Sequence, residues 1–200
     1  KEGYTFEGWF TDRECTTAYD FSTKVTKNIT LYAKWVEDAE KPTEWENPFT
    51  DVSEKDWYYD DVEYVGKNGL FSGMTDTEFA PNGLITRGMM VTVLYRAEGE
   101  PEVTGTATFA DVSDTAYYAK AVVWGQQNGI IMGYSDTAFA PDQNITREQI
   151  AAIMHRYAQY REYDVSAGEN TNILSYTDYD SISKYAVPSV QYAVGSGLMQ

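Results

Sequence analysis

The 200-residue sequence has a single cysteine, Cys15, and a single histidine, His155. One cysteine excludes an intrachain disulfide and a cysteine-based zinc site, and one histidine cannot build a metal cluster by itself. No metal site is expected from these two residues, and no cofactor is expected for the chain. Positive charge is also scarce: 15 Lys and Arg stand against 31 Asp and Glu, a formal net charge of -16. Such a surface repels nucleic-acid phosphate and disfavours nucleic acid as a partner. No apolar run approaches the roughly 18–20 residues needed to cross a bilayer, so membrane insertion is not expected. The chain opens on Lys-Glu-Gly, without an initiator Met or a signal-like segment, and stops in mid-pattern at "GSGLMQ". Both ends read as the edges of an interior piece of a longer protein.

Apolar residues make up 42% of the chain and aromatics 15%, enough for packed cores. The acids are unevenly placed. Residues 1–36 are neutral, residues 37–47 ("EDAEKPTEWEN") hold five acids and one lysine, and residues 48–200 carry the remaining net charge of -12. "YTFEGWFTD" and "ITLYAKW" are rich in aromatic and β-branched residues with partial alternation, which predicts strands in residues 1–35. Two strands in so short a segment cannot close a good core alone. Residues 36–47 read as an acidic linker broken by Pro42 and Pro48.

From Phe49 onward the chain repeats itself. A shift of 60 residues lays Phe49–Arg96 on Phe109–Arg156 without a gap, and 18 of the 48 aligned pairs are identical. "FTDVS" falls on "FADVS", "NGLFSGMTDTEFAP" on "NGIIMGYSDTAFAP", and "ITRG" on "ITRE". A third copy runs through "YTDYDSISKYAVPSVQYAVGSGLMQ", where Asp178 matches Asp51 and Asp111. After one inserted residue, Tyr185 matches Trp57 and Tyr117, and Gly197 matches Gly69 and Gly129. This third copy is cut short before a Phe-Ala-Pro of its own.

Each full repeat predicts helix, loop, helix. The first helices are expected over Trp57–Asn68 and Tyr117–Asn128, ended by Gly69 and Gly129 in the left-handed conformation. Phe-Ala-Pro then blocks further helix. Thr86 and Thr146 stand as N-caps, and Thr146 with Gln149 makes a capping box that Met89 denies to the first repeat. One helix pair of this size is marginal alone, so the repeats should pack on each other.

Arg87 and Arg147 are an electrostatic oddity, because a cation beside a helix N-terminus loses a few tenths of a kcal/mol to the dipole. Each needs a partner: an internal carboxylate such as Asp51 or Asp111, or an external anion seated on the guanidinium fork and free helix N–H groups. Asp51, Asp111 and Asp178 are either turn formers or polar ligand contacts. Trp57, Tyr117 and Tyr185 either fill a helix junction or present a ring to a ligand. Arg96 and Arg156 sit near helix C-termini, where the dipole welcomes cations, and read as structural. His155 reads as a surface or half-buried helix residue. "DWYYDD" and "DYDSIS" lack the ligand ladder of a calcium-binding EF-hand loop. Acids that recur in every repeat do not make the asymmetric pair of a hydrolase, and no nucleophile constellation appears, so no enzyme is expected in this chain.

These motifs resemble two known families. Phe-x-Asp-Val, the aromatic helix ending at Gly-Leu/Ile, and Gly-x-x-Asp-x-x-Phe-x-Pro before Thr-Arg are similar to the S-layer homology domain. The resemblance spans repeats at 48–100, 108–165 and 175–200, the last truncated. "GYTFEGWFTDRECTTAYDFSTKVTKNITLYAKW" resembles the C-terminal half of the internalin-type B repeat, or Listeria–Bacteroides repeat, in which Cys15 is an ordinary loop position. The resemblance implies a mainly α fold: tandem helix-loop-helix repeats in a pseudo-threefold helical assembly, preceded by a partial β-grasp-like segment. It implies noncovalent anchoring of a secreted protein to peptidoglycan-linked secondary cell wall polysaccharide, often anionic and pyruvylated, outside a Gram-positive-type cell. The carbohydrate-binding residues it implies are Asp51, Trp57, Arg87, Asp111, Tyr117, Arg147, Glu148, Asp178 and Tyr185. Departures from the pattern include Gly88 for Ala and Met89 for Glu, with the acid of the second repeat displaced to Glu148. The alternative is a module for self-association in a surface array, or an adhesin, without specific polysaccharide binding.

Overall fold

The aromatic-rich N-terminal segment pairs β1 (Tyr4–Phe10) with β2 (Tyr32–Glu37) in a two-stranded antiparallel sheet. The computed structural model describes residues 4–37 and 45–200, so most of the expected linker at 36–47 lies outside the described residues. β2 starts at Tyr32, later than the alternation from Ile29 suggested. The register shifts between Phe6 and Gly8, and the Phe6 ring lies 5.2 Å from Trp35 and 5.6 Å from Trp9. All three rings remain partly exposed, which fits a sheet too small to bury its own face. Asp12 closes the turn beyond β1 by accepting the N–H groups of Thr16 and Thr17.

Residues 1–46 and 47–200 form two separate compact units. In the second, the helices are α1 (Tyr59–Lys67), α2 (Arg87–Ala97), α3 (Ala119–Gln127), α4 (Arg147–Tyr160) and α5 (Val187–Gly195). α1 and α3 start two residues later than the periodicity suggested, because a tight turn occupies the preceding residues. In the first repeat Asp56 builds it by accepting the Ser53 N–H at 2.7 Å, before the Tyr59 N–H bonds back to the Asp56 carbonyl. Gly69, Gly129 and Gly197 end their helices with φ of 66°, 68° and 77°, a conformation that glycine adopts without strain.

Thr86 and Thr146 cap α2 and α4 as expected, each hydroxyl accepting the N–H three residues on. The first repeat keeps its capping box after all. The Met89 sulfur accepts the Thr86 N–H at 3.5 Å, where Gln149 Oε1 accepts that of Thr146 at 3.3 Å. A thioether is a weak acceptor, but its reach and position are those of the amide.

The main core lies between the first two repeats. Val91 and Leu94 of α2 meet Val122 and Trp124 of α3, Phe109, Ile130, Ile131 and Phe139. Phe139 is fully buried, which contributes roughly 1.5–3 kcal/mol. Backbone bonds stitch the same interface: Arg87 N–H to Gln143 O at 2.9 Å, Gly88 N–H to Pro141 O at 2.8 Å, and Ile145 N–H to Ile85 O at 3.0 Å. Glu98 ties the other end of α2 to α4 by accepting the Tyr157 hydroxyl at 2.5 Å and Arg161 Nη1 at 2.6 Å. α4 packs in turn on α5 of the third repeat, with His155 stacked on Tyr192 at 4.8 Å.

Candidate functional site

The start-motif aspartates are loop clamps. Asp51 accepts the N–H groups of Phe79 and Ala80 at 2.9 and 2.7 Å, and Asp111 those of Phe139 and Ala140 at the same distances. Both alanines sit at φ 57°, in the left-handed region, so each carboxylate pins the strained residue of a Phe-Ala-Pro loop. Partial burial works against the charge of Asp111. The two N–H groups and the field of Arg87 outweigh it and hold the carboxyl below its ordinary value. Asp178 is exposed, and its carboxylate accepts no hydrogen bond among the described residues.

Arg87 forms no salt bridge to Asp51 or Asp111 among the described residues. It is 5% exposed, and its Nε and Nη2 donate to the carbonyls of Phe139 and Met132, both at 2.8 Å. Its guanidinium also lies 4.6 Å from the Phe139 ring and 4.8 Å from that of Tyr134. The cation of the first repeat thus plugs into the loop of the second, held by neutral carbonyls and two ring faces. The α2 N–H groups offered to an anion in the sequence-based expectation are likewise spent on Pro141 and Gln143. Burial pulls the Arg87 pKa below its ordinary value, because the charge has left water. Arg147 repeats one of these bonds, Nη2 to Gln200 O at 2.8 Å.

Two grooves of matching construction lie between repeats. The first, of about 310 Å³, is walled by Gly73, Met74, Met89, Thr92, Arg96 and Tyr117. The second, of about 380 Å³, has Gly133, Tyr134, Gln149, Ala152, Arg156 and Tyr185 at the corresponding places, with Arg87 in addition. Each takes its loop and second helix from one repeat and its aromatic lid from the next. Trp57, Tyr117 and Tyr185 are 89%, 64% and 56% exposed, so none of them fills a helix junction.

Arg96 and Arg156 line these grooves as well as donating to the Leu70 and Ile130 carbonyls, both at 3.3 Å. Reading them from the helix dipole alone missed this. The signal was present: Gln149, Ile153 and Arg156 fall at i, i+4 and i+7 on α4, one face of the helix. The grooves differ in charge. Arg96 has Glu100 at 3.8 Å, whereas neither Arg87 nor Arg156 forms a salt bridge among the described residues. Burial lowers the Arg156 pKa too. Tyr134 and Gln149, absent from the expected set, are joined by a 2.7 Å bond across the second groove.

Glu148 is engaged internally. Its carboxylate accepts the Ser183 N–H at 2.8 Å, the Ser183 hydroxyl at 3.0 Å and the Tyr185 hydroxyl at 3.3 Å, so it holds the lid of the second groove. Among the described residues no group of three or more His, Cys, Asp or Glu side chains is placed to hold a metal ion. No helix among them is long and apolar enough to cross a membrane.

Comparison with known families matches the S-layer homology domain at residues 48–89, 108–151 and 175–200, more than half of the chain. The chain belongs to the S-layer homology domain family. Residues 1–34 match the Listeria-Bacteroides repeat domain. Among characterised relatives, an endoglucanase of Bacillus sp. (strain KSM-635) is 32% identical over 76% of this chain, but the match covers 16% of that protein. The surface-layer 125 kDa protein of Lysinibacillus sphaericus is 35% identical over 54% of this chain and 10% of its own length. The cellulosome-anchoring protein of Acetivibrio thermocellus is 25% identical over 56% and 27%. The S-layer homology repeats thus match only a minor part of each relative's length, in enzymes and in surface proteins alike.

Proposed function

We propose that the S-layer homology repeats bind an anionic secondary polysaccharide linked to peptidoglycan, and so hold the protein that carries them at the surface of a Gram-positive-type cell. The observation that carries this is the second groove, where Arg87 and Arg156 stand without a carboxylate partner in a chain of net charge -16. A poorly solvated cation without a counter-charge is costly, and an acidic ligand group would supply the charge. Arg87 sets the field from its buried seat, Arg156 offers the planar fork, and Tyr134 and Tyr185 give ring faces for the sugar. A pyruvate ketal has the carboxylate this arrangement calls for. The first groove, with thioethers from Met74 and Met89 and with Arg96 near Glu100, is the weaker site. The names of the surface-layer and cellulosome-anchoring relatives agree with a surface role.

In this reading Asp51 and Asp111 shape the loops, and Glu148 orients Tyr185. Tyr117 and Tyr185 each close a groove of the preceding repeat. By the same rule Trp57 would close a third groove, and the three repeats would form a pseudo-threefold ring. Arg147 and Asp178 stand together at the junction with the third repeat, outside both grooves.

The test is sedimentation of the chain with purified wall sacculi, before and after chemical removal of the secondary polysaccharide. Binding should vanish on stripped sacculi and weaken about tenfold or more in Arg156→Gln, the loss of one charge-assisted pair, with an unchanged melting temperature. Arg96→Gln should weaken it less. Retained binding to stripped sacculi, or an indifferent Arg156→Gln, would overturn the proposal. Concentration-dependent assembly without polysaccharide would favour a self-associating array instead.

A further inference from the structure

The second groove is lined by two tyrosines, Tyr134 and Tyr185, whose hydroxyls are bonded in opposite senses. Gln149 joins the cap of α4 to the first of them. Its Oε1 accepts the Thr146 N–H at 3.3 Å, and its Nε2 donates to the Tyr134 hydroxyl oxygen at 2.7 Å. The cap fixes which end of the amide faces the ring, because a backbone N–H has to meet the oxygen and leaves the nitrogen for the phenol. The Tyr134 oxygen therefore accepts, and its own hydrogen has no acceptor among the described residues. Tyr185 is the reverse. Its hydroxyl donates to the Glu148 carboxylate at 3.3 Å, so its hydrogen is engaged and its lone pairs remain.

Tyr134 is held at both ends. Its ring lies 4.8 Å from the Arg87 guanidinium and its hydroxyl is fixed by Gln149, yet it is 56% exposed and open to a ligand. Arg156 stands in the same groove with only Nη1 engaged among the described residues, on Ile130 O. The first groove has no such arrangement. Met74 and Met89 take the places of Tyr134 and Gln149, and a thioether carries no donor. The Met89 sulfur still accepts the Thr86 N–H and completes the cap of α2. The cap alone therefore does not call for an amide at this position, whereas the Tyr134 hydroxyl does.

We propose that Gln149 is a positioning residue that sets the hydrogen-bond polarity of the second groove, with Tyr134 as its donor and Tyr185 as its acceptor. The inference rests on the polysaccharide reading and narrows it. The ligand is an acidic sugar of the wall polymer with a free hydroxyl beside its acid group. The carboxylate accepts from Arg156 and from the Tyr134 O–H, and the neighbouring hydroxyl donates to the Tyr185 oxygen. A carboxylate in place of the Gln149 amide could cap α4 equally well, but it would take the Tyr134 hydrogen for itself. The groove would then meet an anion with acceptors on both walls.

The probe is a methyl hexopyranoside bearing a pyruvate ketal, titrated into the 200-residue chain by calorimetry, beside an analogue without the free hydroxyl next to the ketal. Tyr134→Phe should weaken binding about tenfold, the loss of one hydrogen bond to a charged group. Gln149→Met should weaken it roughly threefold or more in the parent and not at all in the Tyr134→Phe background, because it acts through that hydroxyl. It should melt like the parent, since the Met89 thioether already serves as such a cap. Gln149→Glu should cost more than Gln149→Met, and the excess should shrink in the Tyr134→Phe background, where charge repulsion alone remains. The parent should prefer the probe to its analogue by about tenfold, and Tyr185→Phe should bind the two alike. Equal costs of Gln149→Met with and without the Tyr134 hydroxyl, or binding indifferent to Tyr134→Phe, overturn the proposal. If Arg156→Gln weakens binding while the Gln149 and Tyr134 variants do not, the polysaccharide reading stands and this one alone falls. A parent that binds sacculi but not the probe has the same meaning, and a parent that binds neither overturns both.

Discussion

Replacing Asp111 by alanine removes a carboxylate that holds two backbone N–H groups, Phe139 at 2.9 Å and Ala140 at 2.7 Å. Hydrogen bonds to a charged group contribute about 1.5–3 kcal/mol each when shielded. Asp111 is largely exposed, so water would replace it in part, and the sum is discounted to about 2–3 kcal/mol. For a unit of this size that corresponds to a fall in melting temperature of roughly 4–12 °C, followed by circular dichroism. Ala140 supplies the second arm. At φ 57° it holds about 1–2 kcal/mol of strain, which glycine would relieve at some cost in unfolded-chain entropy. Ala140→Gly should therefore stabilise by about 0.5–1 kcal/mol and should recover part of the loss in Asp111→Ala. The sign with pH follows from the carboxyl's lowered folded value. Its contribution is present above the ordinary carboxyl range and is lost as pH falls through the folded value, so the gap between parent and Asp111→Ala should close below about pH 4. A loss under about 0.5 kcal/mol at neutral pH, or a gap that persists in acid, would refute the clamp.

Gly88→Ala should destabilise by about 1–3 kcal/mol despite better helix propensity. Its Cβ would lie 2.8 Å from Tyr118 Cδ1 and 3.1 Å from Pro141 O, and urea unfolding of Gly88→Ala alone and with Tyr118→Ala would show a smaller loss in the pair. His155 bonds Ser189 through Nδ1 at 3.1 Å, and burial, then Arg156, hold its pKa below the ordinary value. Its contribution is complete above the unfolded value of about 6.5 and declines as pH falls toward the folded one, so urea midpoints at pH 7.5 and 5 should differ less in His155→Gln than in the parent. The Tyr157 phenol, pushed up to about 12 by burial and by Glu98, should appear as a late-ionising tyrosine in an alkaline absorbance titration, and Glu98→Gln should bring it back toward the others.

Features confined to a few neighbouring residues were legible in the sequence. The Thr86 and Thr146 caps, the terminating glycines and the presence of two strands in the N-terminal segment follow from side chains acting on adjacent backbone. What each repeat does to the next was not legible, because half of the partners are backbone atoms, which no letter distinguishes. Local charge logic offered Arg87 a carboxylate or an external anion. The structure gives it the carbonyls of Met132 and Phe139. Nor did the sequence show that Asp51 and Asp111 accept N–H groups 28 and 29 residues away.

The departures between repeats show why position-by-position reading fails there. Gly88 looks like a weakened motif and Glu148 like a displaced ligand, if each is compared only with its equivalent. In space each belongs to a pair. Gly88 lies under Tyr118, which leaves no room for a Cβ. At the next junction the counterpart of Tyr118 is the buried Ala186, and Glu148 reaches Ser183 and Tyr185. A small helix residue lies under a large ring at one interface; at the other the helix residue is a long acid and the ring's counterpart is small. The two junctions thus join neighbouring repeats through different side chains. The acid at the second junction is also the one that accepts the Tyr185 hydroxyl at the edge of the second groove. The junction with Gly88 has no such acid, and Tyr117 has no equivalent tether among the described residues. The two matching grooves thus differ in the tether on the lid as well as in charge. Under the proposed function, both differences favour the groove of Arg87, Arg156 and Tyr185 over that of Arg96 and Tyr117.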